Sequence, residues 1–85
     1  MKLTIKYFAW VREKVGVGEE QLDVPDDVTT VGDLAAWLAT RSEAHANAFA
    51  RADVIRAACD QTHAPPTAPL ANVSEVAFFP PVTGG

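Results

Sequence analysis

The sequence ends in two glycines, Gly84 and Gly85, and the terminal carboxylate that follows them is the group best placed to do chemistry. Because glycine has no side chain, this end of the backbone fits a channel too narrow for any other residue. The alternative is an ordinary frayed terminus, where disorder is common. We predict that the carboxylate of Gly85 is presented to another protein.

A short apolar strand followed by two prolines, Pro80 and Pro81, precedes this end. Each proline lacks the N–H that a sheet ladder needs, so the strand must stop there. Residues 80–85 can span about 20 Å when extended, at about 3.3 Å per residue. The predicted organisation is therefore a domain over residues 1–79 and a flexible tail, residues 80–85, which also contains Val82 and Thr83 and inserts into a partner.

Phe78 and Phe79 lie next to each other in the last strand. Successive side chains of a regular strand point to opposite faces, so one phenylalanine fills the core and the other lies beside the tail. We expect Phe79 to be the exposed one and to anchor a partner. Phe8 and Arg12 are further candidates for this interface.

No set of residues with the spacing of a metal site or a catalytic triad is visible. His45 and His63 are isolated, and we expect both to be solvated, one on a helix and one in a loop. Cys59 is the single cysteine, and its strand-like apolar setting indicates a packing role rather than a persulfide carrier. We therefore predict no metal and no cofactor bound by this chain.

Composition sets limits on the class of protein. The chain has 85 residues, of which 48% are hydrophobic and 21% charged, as expected for one folded domain. A net charge of −4 argues against nucleic acid or an anionic membrane as a partner. One cysteine excludes an internal disulfide, and with no apolar segment of membrane-spanning length the predicted location is the cytoplasm.

Hydrophobic periodicity predicts the elements that must hold the tail. Alternation predicts strands over 2–9 and 19–24, antiparallel to each other, with a short helix or turn over 10–15. Thr30, with Asp33 three residues later, caps the main helix. An alanine-rich peripheral helix of low stability over 42–52, a strand over 54–59, a proline-rich loop over 61–70 and the final strand complete the order.

This order predicts an α+β roll, in which the main helix packs across one face of a mixed sheet of four to five strands.

Three stretches of the sequence resemble the small subunit of molybdopterin synthase, the MoaD family. They are YFAWVREKVG (7–16), TVGDL (30–34) and EVAFFPPVTGG (75–85). The resemblance takes in both ends and the main helix and is weakest in the middle, where residues 61–74 depart from the family's pattern. It implies a β-grasp, ubiquitin-like fold.

The resemblance also implies a function. In that family, an ATP-dependent, ubiquitin-activating-type enzyme adenylates the terminal glycine, which becomes a thiocarboxylate and gives its sulfur to a pyranopterin precursor inside the large subunit. Gly85 matches the residue that bears the thiocarboxylate, and Gly84 matches the narrow residue before it. Residues 79–82 match the apolar segment that leads into the partner. The family further implies a heterotetramer with the large subunit, in which this chain is a sulfur donor and not itself a catalyst.

Two alternatives remain open at this point. The same activated tail would serve a sulfur carrier for thiamine or tRNA thiolation, or a modifier conjugated to lysines. A β-grasp interaction module with an inert tail would need neither Gly84 nor Gly85.

Overall fold

The computed structural model describes residues 1–81, which form a five-stranded mixed sheet with helices on one face. The strands are β1 (Lys2–Tyr7), β2 (Glu19–Asp23), β3 (Arg56–Cys59), β4 (Thr62–Ala64) and β5 (Glu75–Phe79). The helices are α1 (Ala9–Val15), α2 (Val31–Ala39) and α3 (Glu43–Ala48), with a short 3-10 helix at Ala52–Val54. The α+β class predicted from the element order is confirmed.

The last strand, β5, occupies the centre of the sheet, whose order is β2-β1-β5-β3-β4. It runs parallel to β1 and antiparallel to β3, while β1 and β2 form the predicted antiparallel pair. A central strand is hydrogen-bonded on both sides, so its end is fixed in space. The C-terminal tail therefore begins from a strand that is paired along both edges.

Helix α2 begins where the sequence predicts. The Thr30 hydroxyl accepts a hydrogen bond from the Asp33 amide at 3.1 Å, and the Asp33 carboxylate accepts one from the Thr30 amide at 3.3 Å. This reciprocal capping box satisfies amides that the first turn would otherwise leave unpaired. Val31, Leu34 and Leu38 are then buried against the sheet.

Several boundaries differ from the sequence prediction. The helix predicted over 42–52 spans only Glu43–Ala48, and β2 ends at Asp23 and not at residue 24. Strand β1 ends at Tyr7 and not at residue 9, because α1 already begins at Ala9 to bury Val11 and Val15. The third strand begins at Arg56 and not at residue 54, since the 3-10 helix extends to Val54.

The prediction of a loop over residues 61–70 was wrong at its start, where β4 pairs with β3. Asp60 and Gln61 connect the two strands, both with positive φ (49° and 70°), as a tight two-residue hairpin turn requires. The Asp60 carboxylate also accepts hydrogen bonds from the amides of Ser74 and Glu75 at 3.0–3.1 Å. These bonds tie the hairpin to the start of β5.

Candidate functional site

The predicted tail leaves the domain at the C-terminal end of β5. Within the sheet, Phe78 lies beside Tyr7 of β1, and Phe79 lies beside Arg56 of β3. Pro80 is half-buried and Pro81 is exposed, and neither belongs to the strand. The strand thus ends at the residue before the first proline, as predicted. Val82, Thr83, Gly84 and Gly85 lie outside the described residues.

The two phenylalanines divide between the faces of the sheet. Phe78 is 1% exposed and its ring makes an edge-to-face contact with Phe49, at 5.1 Å between ring centroids. Phe79 is only half-buried, and the His63 ring contacts it at 5.8 Å and an interplanar angle of 70°. Phe78 therefore holds the strand in the core, while Phe79 lies on the face that no helix covers.

Phe8 connects β1 to α1, and Arg12 lies within α1. Phe8 is 48% exposed, and its amide donates a hydrogen bond to the Phe78 carbonyl at 3.0 Å. Phe8 is therefore fixed beside the strand end, together with Phe79. Arg12 lies one helical turn later, exposed, with its side chain extending toward Gly18. The structure brings Phe8 to the start of the tail and places Arg12 along the adjoining helix.

A polar cluster lies at the helix-covered side of this strand end, and the sequence analysis missed it. Tyr7 donates its hydroxyl hydrogen to the Glu20 carboxylate at 2.7 Å, and the His45 Nε2 atom lies 2.9 Å from the same oxygen. The His45 Nδ1 atom lies 2.7 Å from the Ser42 hydroxyl. His45 is 8% exposed, so the prediction of a solvated His45 was wrong. His63 is exposed as predicted, although it lies on β4 and not in a loop.

The cluster changes the acidity of its members. Burial raises the pKa of Tyr7 far above its ordinary value, and the hydrogen bond to Glu20 and the charge of Glu20 add to this. Burial alone would also raise the pKa of Glu20, but the hydrogen bonds from His45 and Tyr7 outweigh it, and the pKa is lowered. Glu20 is therefore an anion that two buried side chains hold in place.

An apolar groove of about 730 Å³ lies between α2 and the β3–β4 hairpin. Small side chains produce it, since Ala35, Ala36 and Ala39 face the hairpin across a gap that larger residues would fill. Most of its lining is apolar, and Asp53, Arg56 and His63 are the titratable residues on it. The groove therefore offers mainly shape and apolar surface.

Other candidate chemistry is sparse in the described part of the chain. Within residues 1–81 no three His, Cys, Asp or Glu side chains are arranged to hold a metal ion. Cys59 is partly buried, and burial, together with the charge of Asp60, raises the pKa of its thiol. A raised pKa leaves less of the reactive thiolate, in keeping with the packing role. No helix over these residues is long and apolar enough to span a bilayer.

The sheet order, the helix across one face and the C-terminal exit from the central strand define a ubiquitin-like β-grasp domain. SAMP1 from Haloferax volcanii has a solved structure that superposes with a TM-score of 0.73, at 30% identity and with full coverage of both chains. The fold that the sequence resemblance implied is thereby confirmed.

Comparison of sequences identifies the family. The model of the ThiS family matches residues 5–85. The molybdopterin synthase sulfur carrier subunit of Haemophilus influenzae is 37% identical over 83 residues, and that of Escherichia coli is 40% identical over 83 residues. Each alignment covers 98% of this chain and 99% of the relative. The chain belongs to the ThiS family, and the resemblance to the small subunit of molybdopterin synthase is confirmed.

Proposed function

We propose that this protein is the sulfur carrier subunit of a molybdopterin synthase. The observation that carries the proposal is the match, over almost the whole of both chains, to two relatives named as that subunit. The family match extends to residue 85, so it includes the terminal glycines that the chemistry needs. The fold supports the same function, because it fixes the start of the tail in a central strand while leaving Phe8 and Phe79 accessible.

The chemistry takes place at the carboxylate of Gly85, in two steps. The carboxylate oxygen attacks the α-phosphate of ATP, which releases pyrophosphate and leaves an acyl-adenylate. Hydrosulfide then attacks the carbonyl carbon, AMP leaves with the carbon–oxygen bond pair, and loss of the S–H proton leaves a thiocarboxylate. The activating enzyme binds the ATP, and this chain is the covalent substrate. No side chain of this protein needs to act as an acid or a base.

The thiocarboxylate then carries sulfur to the acceptor. It is ionised at neutral pH, and its soft sulfur is a good nucleophile toward the pyranopterin precursor. Pro80 and Pro81 limit the backbone freedom that the tail loses on entering a partner, which lowers the entropic cost of insertion. The protein serves as the small subunit, and the large subunit supplies the acceptor site. A heterotetramer of two small and two large subunits is part of the proposal.

The test is reconstitution of precursor conversion with the purified large subunit. Thiocarboxylated protein should convert the precursor, whereas protein lacking Gly85 should not, although both should melt at the same temperature. Gly16→Ala, at the left-handed end of α1, is the control for loss of a glycine outside the tail: it should lose some stability through its positive φ but should still support conversion. Conversion by the truncated form would contradict the proposal.

The alternatives predict other results. A modifier would appear in cell extracts as isopeptide adducts on lysines, and a thiamine or tRNA carrier would leave the pyranopterin precursor unconverted. An inert tail predicts that deletion of Gly84 and Gly85 leaves function unchanged. The full-length match to molybdopterin synthase subunits favours the first function over all three.

A further inference from the structure

We propose that Arg56 and His63 extend the docking surface around Phe79, and that the subunit accepting the tail places a carboxylate against them. This inference rests on the proposed function and names the chemistry of the partner at the same site. We define the tail-base surface as Phe8, Phe79, Arg56 and His63.

The register of the sheet brings these side chains together. Arg56 and Phe79 are direct neighbours on the antiparallel strands β3 and β5, so their side chains share a face of the sheet. His63 reaches the same face from β4, where its ring contacts the Phe79 ring at 5.8 Å. Arg56 and His63 are both exposed. The anchor predicted from the sequence thus has two nitrogen-bearing side chains on one side of it, Arg56 on β3 and His63 on β4.

Both side chains have hydrogen-bonding capacity to offer a partner. Among residues 1–81, neither lies within 4.0 Å of a carboxylate oxygen, whereas Lys6 and Arg51 are paired with Glu75 and Asp53. One guanidinium nitrogen of Arg56 donates to the Asp53 carbonyl at 3.2 Å. Arginine has five N–H donors, so most remain for another acceptor. In a chain of net charge −4, two such groups beside the tail select an acidic partner surface.

The position of the tail identifies the occupant of this surface. The last described residue, Pro81, is two residues beyond Phe79, and four more residues lead to the terminal carboxylate. Those four residues reach only about 13 Å when extended. A protein that takes Gly85 into an active site must therefore approach the strand end closely and cover the tail-base surface. A carboxylate of that protein opposite Arg56 would form a charge-assisted, two-pronged hydrogen bond.

Titration calorimetry with the full-length chain and the purified large subunit tests this inference. Arg56→Gln should weaken binding about tenfold and flatten the dependence of Kd on salt concentration, because one ion pair is lost. His63→Phe keeps a ring against Phe79 but removes the N–H donors, and should weaken binding about threefold. The matched control is Lys2→Gln, which removes a positive charge at the opposite end of β1.

Thermal melting of each variant separates docking from folding, because all three side chains are exposed and the melting temperatures should agree. The inference is overturned if Arg56→Gln and His63→Phe bind as tightly as Lys2→Gln, with the same salt dependence. In that case the proposed function stands, provided that the wild-type chain binds. A wild-type chain that does not bind the large subunit at all would overturn the proposed function together with the inference.

Discussion

Glu20→Gln should destabilise the protein near neutral pH, because the Glu20 carboxylate is the centre of the polar cluster behind the tail-bearing strand. The Tyr7 hydroxyl and the His45 ring converge on one carboxylate oxygen, at 2.7 and 2.9 Å. Glutamine has the same shape, and its amide oxygen can still accept both hydrogen bonds. The substitution therefore removes the charge and leaves the geometry.

The magnitude follows from the two contacts. A hydrogen bond to a charged group contributes about 1.5–3 kcal/mol, and one between neutral groups about 0.5–1.5 kcal/mol. Two bonds that each lose their charge assistance should lower the free energy of unfolding by about 2 kcal/mol in total. Urea denaturation at pH 7, followed by tryptophan fluorescence, measures this difference.

The same charge makes the effect depend on pH. The pKa of Glu20 is lowered in the folded protein, so its contribution is complete above the unfolded pKa and disappears as the pH falls through the folded pKa. Protonated Glu20 resembles glutamine in charge. The stabilities of wild type and Glu20→Gln should therefore begin to converge as the pH falls below the pKa of Glu20 in the unfolded chain, and should agree below its pKa in the folded protein.

Glu19→Gln is the matched control, because Glu19 is adjacent, exposed and on the other face of the same strand. It should change the free energy of unfolding by less than about 0.5 kcal/mol. Equal stabilities of Glu20→Gln and Glu19→Gln at pH 7, or a difference from wild type that does not shrink in acid, would refute the assignment of Glu20 as an anion held by Tyr7 and His45.

Three further outcomes follow from the fold. Phe78→Ala should lower the free energy of unfolding by about 3–5 kcal/mol, whereas Phe79→Ala, at a half-buried side chain, should cost clearly less stability and should weaken binding to the large subunit; equal losses of stability would contradict their opposite placement. Thr30→Ala should cost about 1 kcal/mol in urea denaturation, and no loss would argue against the capping box. Gly16→Ala should cost about 1 kcal/mol through its φ of 95°, measured in the same way, and a stabilising effect would rule out the left-handed helix end.

The regular part of the fold can be predicted from the sequence because local patterns determine it. The alternation of apolar and polar residues predicts the antiparallel pair β1–β2. The Thr30 cap predicts the start of α2. The end of β5 followed from Pro80, which cannot take part in the sheet ladder. The prediction of the tail rests on glycine and proline, whose effects on backbone conformation do not depend on tertiary contacts.

The rest depends on contacts between distant residues. Strand β4 has three residues, too few for a period to show, and its Asp60-Gln61 turn lacks the glycine that usually marks such hairpins. Burial of His45 depends on Glu20, 25 positions earlier, and an alanine-rich helix gives no sign of that partner. The placement of Arg56 and His63 beside Phe79 follows from strand register, which the sequence alone did not specify.

Intact mass spectrometry shows whether the carboxylate of Gly85 is converted to a thiocarboxylate. The full-length protein is incubated with ATP, a sulfur donor and an activating enzyme shown to be competent on another carrier, beside a form that lacks Gly85. We expect a mass increase equal to one sulfur replacing one oxygen in the full-length protein and no change in the truncated form. An unchanged mass in both forms would contradict the account and favour a β-grasp module with an inert tail.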